Sequence, residues 1–259
     1  MPDETYVLTG ATSGLGRALA IILATRGASL VLVGRRADKG QSLVEELRSV
    51  ASGAAAIEFI RADVSRLDDV RALAARVRRR YPVVDCLINN AGARFDLFGE
   101  TPEGIERTFA TNYLGHFLLT QELGEPLRRS QIGRLVTIGS SSHAAADVSS
   151  GWLFSREAYD RRLAYANAKL ASTVFGLHLA GRVTGSEVSS IVVDPGIVLT
   201  NFARNNGFVS WLRHFGVHAV RGEVVRAARV ARAIATLARL RVPAAAARYY
   251  HRSAGATPS

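Results

Sequence analysis

The apolar positions of this chain fall into short continuous runs separated by longer stretches with three- and four-residue spacing. Tyr6-Val7-Leu8 runs into Thr9-Gly10, and from Gly16 onward Ala18, Leu19, Ile21, Ile22 and Leu23 repeat as the face of a helix. Ser29-Leu30-Val31-Leu32-Val33 follows the helix stop Arg26-Gly27 and has the continuous apolar character of a strand buried on both faces. The alternation continues with a helix over 37–50, a strand at Ala56–Ile60, a helix over 67–80 and a strand at Val83–Ile88. Beyond these come a helix over 103–129, a strand at Arg134–Ile138, a helix over 162–184, a strand at Glu187–Val193 and a helix over 222–241. Such a pattern predicts one doubly wound α/β domain of Rossmann type over residues 1–259, with a mostly parallel sheet of about seven strands and helices on both faces. No repeat or linker interrupts it, and Pro243–Ser259, Ala-rich and then polar, reads as a fraying end.

Composition narrows the class. With 259 residues, 48% of them hydrophobic, the chain can bury a full core without disulfides. No run approaches the roughly 18–20 apolar residues of a membrane span. The opening Met1-Pro2-Asp3-Glu4 is unlike a basic leader, so a cytoplasmic protein without a membrane anchor is expected. Cys86 stands alone, and His214 with His218 lacks a third ligand, so no metal site is expected. The net charge of +11 brings a nucleic-acid binder into view. Its make-up argues against that: the bases are 31 Arg and only two Lys, Lys39 and Lys169, the bias of a GC-rich bacterial coding sequence.

The first turn carries the first chemistry. Thr9-Gly10-Ala11-Thr12-Ser13-Gly14-Leu15-Gly16 joins a strand to a helix, and glycine is required where backbone turns tightly against a pyrophosphate at a helix N-terminus. At the end of the second strand, where an NAD site places an acid, this chain has Gly34-Arg35-Arg36. Two guanidiniums there suit a 2′-phosphate and favour NADP.

Asn89-Asn90-Ala91-Gly92 after the fourth strand and Tyr165-Ala166-Asn167-Ala168-Lys169 on a helix, in order with the glycine turn, resemble the short-chain dehydrogenase/reductase family over nearly the whole chain. Asn112-Tyr113-Leu114-Gly115-His116-Phe117 and Ser140-Ser141-Ser142-His143 are similar to its retinol dehydrogenase-like and protochlorophyllide reductase-like members. The resemblance implies a catalytic set of Asn112, Ser140, Tyr165 and Lys169, with Asn112 holding a relay water. It also implies a dinucleotide held by Gly10, Thr12, Ser13, Gly14, Leu15, Gly16, Arg35, Arg36, Asp63, Val64, Asn90, Ala91, Gly92, Tyr165, Lys169, Pro195, Gly196, Val198 and Thr200.

Residues four apart on a helix share a face, so Tyr165 and Lys169 address one ligand. A cation beside the phenol eases its ionisation, and the retention of lysine in so arginine-rich a chain singles out Lys169. The expected activity is therefore NADPH-dependent reduction of the carbonyl of a bulky small molecule, in bacterial secondary metabolism. The alternative is a catalytically silent dinucleotide-binding sensor or scaffold. Residues 197–222, with Phe202, Phe208, Trp211 and Phe215, are expected to form a substrate lid. The Arg226, Arg229, Arg232 and Arg239 stripe reads as a solvated face; bordering the pocket, it would favour an anionic or carrier-bound substrate. Nucleic acid is not an expected partner, and a homo-oligomer is left open.

Overall fold

The computed structural model describes residues 4–149, 156–182, 188–198, 224–225, 227–239 and 248–251. A seven-stranded sheet, parallel throughout, has the order β3-β2-β1-β4-β5-β6-β9. Its strands are β1 Thr5–Thr9, β2 Ser29–Gly34, β3 Ile57–Arg61, β4 Cys86–Asn89, β5 Arg134–Ile138, β6 Ser189–Asp194 and β9 Arg248–His251. The crossover helices are α1 Gly14–Thr25, α2 Ala37–Val50 and α3 Leu67–Arg80, then α4 Arg107–Phe109, α5 Gly115–Glu122, α6 Gly124–Arg128, α7 Arg161–Arg182 and α8 Ala227–Leu237. A separate two-stranded parallel ribbon pairs β7 Ile197–Val198 with β8 Val224–Val225.

Two apolar layers sandwich the sheet. On one side Leu19 and Leu23 of α1, Leu43 and Leu47 of α2, and Val230 and Ile234 of α8 pack on Tyr6, Leu8, Leu30 and Leu32. On the other, Val70 and Leu73 of α3 and Leu119 meet Val7, Val31 and Leu87. The strand residues alternate between these layers, which is why their sequence runs show no polar face. Strand order in the sheet reverses between β1 and β4, and the crevice opened there by the C-terminal strand ends is where this class of fold binds ligands.

Four elements differ from their sequence reading. The helix expected over 103–129 is divided. The buried carboxylate of Glu106 accepts N–H groups of Thr108 and Phe109, both at 2.7 Å, and so starts α4 later than its periodicity suggested. A π-turn over Ala110–Leu114 follows, and α5 ends before Gly124 and Pro126, the latter having no N–H to continue a helix. Val83-Val84 lies outside β4, since the Val84 N–H bonds Pro126 of α6 instead of a neighbouring strand. Val224, read as helical, is in β8; α8 is shorter than expected, and Ala228, assigned to its apolar side, is exposed. Finally, the terminus that read as fraying supplies a strand: Arg248–His251 pairs with β6, and Tyr250 is buried.

Among the described residues, no helix is long and apolar enough to cross a membrane, and no group of three or more His, Cys, Asp or Glu could hold a metal. Cys86 is fully buried, and burial pushes its thiol up, as for a small hydrophobe. His214 and His218 lie outside the described residues.

Candidate active site

A cavity of about 840 Å³ opens at the β1/β4 reversal, within the size range of small-molecule sites. Every site residue expected from sequence lines it except two. Thr200 lies outside the described residues, and Asn112 is buried behind the wall.

The glycine turn forms the floor. Gly10 and Gly14 have φ of 67° and 52°, conformations L side chains rarely adopt. A Cβ on Gly16 would stand 2.2 Å from the carbonyl oxygen of Gly10, so the first turn of α1 sits directly on the preceding loop. Ser13, at the N-cap, makes no side-chain hydrogen bond to the helix, and the first turn holds no acid. Positive dipole and N–H donors are thus left to a ligand at the cavity wall, which fits a pyrophosphate.

Beside this turn the cavity meets Arg35, Arg36 and Lys39. Arg36 is tied to Asp38 through Nε at 3.1 Å and a second bond from Nη2, and that pairing holds the exposed Asp38 carboxyl down at about 2. Arg35 reaches only to within 4.0 Å of Asp63. Lys39 was not among the expected residues. The rarity argument that singled out Lys169 applies to it equally, since both lysines of the chain line this cavity.

The Asn89–Gly92 loop is braced as well as exposed to the cavity. Asn90 Nδ2 donates to the carbonyl of Thr9 at 2.8 Å, and the Thr9 hydroxyl accepts the N–H groups of Asn90 and Ala91 at 2.9 and 3.0 Å. That hydroxyl lies 3.0 Å from Nε2 of His116, whose ring also bonds the Asn112 carbonyl. The Thr9 hydroxyl has two acceptors in reach, Nε2 and the Ile88 carbonyl at 3.3 Å. Burial, aided by the Lys169 charge, drives the His116 pKa down to about 3.

Asn112 completes this support. Its Nδ2 donates to Ala93 and Thr108 carbonyls at 2.6 and 2.7 Å, its Oδ1 accepts the Ala93 N–H, and its own carbonyl accepts the Ser172 hydroxyl at 2.9 Å. These bonds tie the π-turn to the loop after β4 and to α7.

Asp160 starts α7 by accepting the N–H groups of Arg162 and Leu163, and one turn of helix separates Tyr165 from Lys169. Ser140, which caps the short 3₁₀ turn Ser141–Ala145, is hydrogen-bonded to Tyr165. Burial raises the Tyr165 phenol to about 12 against the lowering pull of Ser140 and the Arg94 guanidinium. Arg94 lines the cavity and went unnoticed in the sequence, although it directly follows Asn89-Asn90-Ala91-Gly92-Ala93. Lys169 is buried, its Nζ donating to the Ile138 carbonyl at 2.8 Å and lying 5.7 Å from the Tyr165 ring centre; burial lowers it to about 8. A hydrogen-bonded Ser–Tyr pair beside a desolvated lysine can exchange a proton with an oxygen atom in the cavity.

A strand–glycine turn–helix floor, a cationic rim and this Ser–Tyr–Lys cluster thus place a fit for a phosphate-bearing ligand beside a proton-exchanging group, where the strand order reverses. Sequence comparison agrees: the short chain dehydrogenase profile matches residues 4–207. Mouse (Mus musculus) retinol dehydrogenase 12 is 34% identical over 206 residues, 80% of this chain and 65% of its own length. Human retinol dehydrogenase 14 is 36% identical over 217 residues, 79% of this chain and 65% of its own length. This chain therefore spans about 65% of the length of these relatives. In fold it matches an actinorhodin polyketide ketoreductase with NADPH at a TM-score of 0.74 and 24% identity, each chain covered to 97%. A short-chain dehydrogenase from Sphingobium yanoikuyae in complex with NADPH gives 0.70 and 26%, covering 90% of this chain and 83% of that one. The chain belongs to the short-chain dehydrogenase/reductase family, in its retinol dehydrogenase-like subgroup.

Proposed function

We propose that the protein is an NADPH-dependent reductase acting on the carbonyl group of a bulky small molecule. The observation that carries this reading is the convergence of Ser140, Tyr165 and Lys169 on the cavity that also holds the glycine turn and Arg35, Arg36 and Lys39. When bound, the dinucleotide supplies the hydride. Its phosphates fit the α1 N-terminus, and a 2′-phosphate fits Arg35 and Lys39, with Arg36 shared with Asp38. Asp63 and Val64 would flank the adenine, and Asn90–Gly92, Pro195, Gly196 and Val198 the rest of the molecule.

Ser140 would hydrogen-bond the substrate carbonyl oxygen. Tyr165 would give it a proton, acting as general acid, and Lys169 and Arg94 would stabilise the phenolate left behind. The whole chain would act as one domain. Residues 197–222 would form its substrate lid, of which Ile197 and Val198 are in β7 and the rest lie outside the described residues. Arg229 and Arg232 are exposed and, like Arg239 on Glu4, lie away from the cavity wall, while Arg226 lies outside the described residues.

The retinol dehydrogenases among the relatives favour a second reading, in which the substrate is a long apolar aldehyde or alcohol. One experiment addresses both: purified protein with NADPH is offered cyclic and polycyclic ketones and all-trans-retinal, and NADPH oxidation is followed. Turnover of any supports the reductase. Tight NADPH binding without turnover across the panel would favour a sensor or scaffold.

A further inference from the structure

The reaction outlined above makes no use of Asp194, a carboxylate only 1% exposed at the end of β6. Its Oδ1 accepts the N–H of Gly196 at 2.9 Å, fixing the Pro195-Gly196 turn at the cavity wall. The lysine anchor is one strand away. Lys169 Nζ bonds the Ile138 carbonyl, Ile138 pairs with Val193, and Gly139 N–H donates to the Val193 carbonyl at 2.8 Å. The ammonium and the carboxylate therefore share the C-terminal end of neighbouring strands.

Other titratable groups surround the pair. Tyr165 approaches Lys169 from its own helix, and the Lys169 charge reaches His116 of α5. Tyr249 of β9 faces Asp194, its phenol pushed up by burial and by that charge, and the His143 ring packs edge-on against Tyr249 at 5.5 Å. Among the described residues, Asp194 is the carboxylate whose charge favours the protonated lysine. A buried lysine with no such partner loses its proton well below the usual range, by as much as several pH units.

We propose that Asp194 is the buried counter-ion of Lys169, a positioning residue that holds the lysine as an ammonium beside Tyr165 and fixes the Pro195-Gly196 turn. The proposal rests on Lys169 being the active-site lysine, but its test needs no turnover. The chain has only two lysines, and Lys39 is exposed, so ¹³Cε-lysine labelling of the full-length protein gives two NMR resonances, one of them a buried amine. In the wild type the Lys169 signal should titrate near pH 8.

Asp194→Asn keeps an oxygen for the Gly196 N–H and removes the charge. It should bring the Lys169 midpoint down by about one pH unit or more, leaving Lys39 in place. An unmoved midpoint overturns the proposal. If that variant does not fold, ¹³Cγ-aspartate labelling of the wild type decides: one carboxyl signal should show an inflection at the Lys169 midpoint, and its absence refutes the pairing. Where a substrate is turned over, the alkaline limb of kcat should move down with the lysine. Failure of the whole substrate panel, with the NMR shifts present, would count against the reductase reading and leave Asp194 as the counter-ion.

Discussion

The hydroxyl of Thr9 lies 3.0 Å from Nε2 of His116, joining the end of β1 to the first turn of α5 beneath the cavity. His116 is neutral in the folded protein because burial holds its pKa near 3, whereas in an unfolded chain it titrates at about 6.5. Between those values the unfolded chain binds a proton that the folded one does not. Stability should therefore fall as pH drops through this window, by up to about 1.4 kcal/mol per pH unit from this one group. Urea unfolding of wild type and His116→Gln at pH 7, 6 and 5 tests it: the variant starts lower and loses less on acidification. Parallel curves would show that the imidazole is not buried neutral.

Tyr165→Phe removes the proton donor and keeps the ring. It should lower kcat by at least about 100-fold while NADPH affinity stays near wild type. Arg94→Leu should give a smaller loss in kcat, because one of the influences that ease phenol ionisation is gone. Stopped-flow turnover alongside fluorescence titration of NADPH separates the two effects, and an undiminished rate in Tyr165→Phe would sink the assigned chemistry.

The cationic rim makes a graded prediction. Arg35→Ala and Lys39→Ala should each weaken NADPH by about tenfold or more and change NADH little, as expected for charge-assisted bonds to one phosphate. Arg36→Ala should cost less, since its guanidinium is already bonded to Asp38. Calorimetric affinities for both dinucleotides provide the check; equal losses for NADPH and NADH would contradict an NADP preference.

Gly115 offers a structural test. A Cβ there would stand 1.7 Å from the Val64 carbonyl oxygen, which belongs to the backbone and cannot swing aside. Gly115→Ala should destabilise the fold by at least about 1–3 kcal/mol. It should also weaken NADPH, because the Asp63-Val64 loop at the cavity wall is what the methyl displaces. An unchanged melting temperature would mean that α5 and this loop are not in contact.

The helices over 37–50 and 67–80 and the strand Arg134–Ile138 coincide with their sequence readings, because each is set by local periodicity with clear stops. Local pattern fails where long-range contacts decide. The division of the 103–129 segment depends on a buried Glu106 cap and on Asn112 reaching across to Ala93. β9 is four residues after an alanine-rich stretch, and only its pairing with β6 makes it a strand. In the site, the glycine turn and the Ser140, Tyr165 and Lys169 cluster were legible because backbone conformation and proton chemistry restrict residue type narrowly. Lys39, Arg94 and Asp194 were not, since single charges carry meaning only once their neighbours are known. Which backbone groups Asn112 meets is likewise reported by no spacing in the sequence.

The ribbon of β7 and β8 pairs Ile197 with Val224 and Val198 with Val225. Neighbouring paired strands lie about 4.8 Å apart, so the chain departs from the cavity edge and returns to it at nearly one point. On the proposed reading, substrate preference would diverge by exchange of residues 199–223 alone, while the residues proposed for hydride and proton transfer stay unchanged. Chimeras that swap the segment at Val198 and Val224 would be a direct route to new specificities on this scaffold.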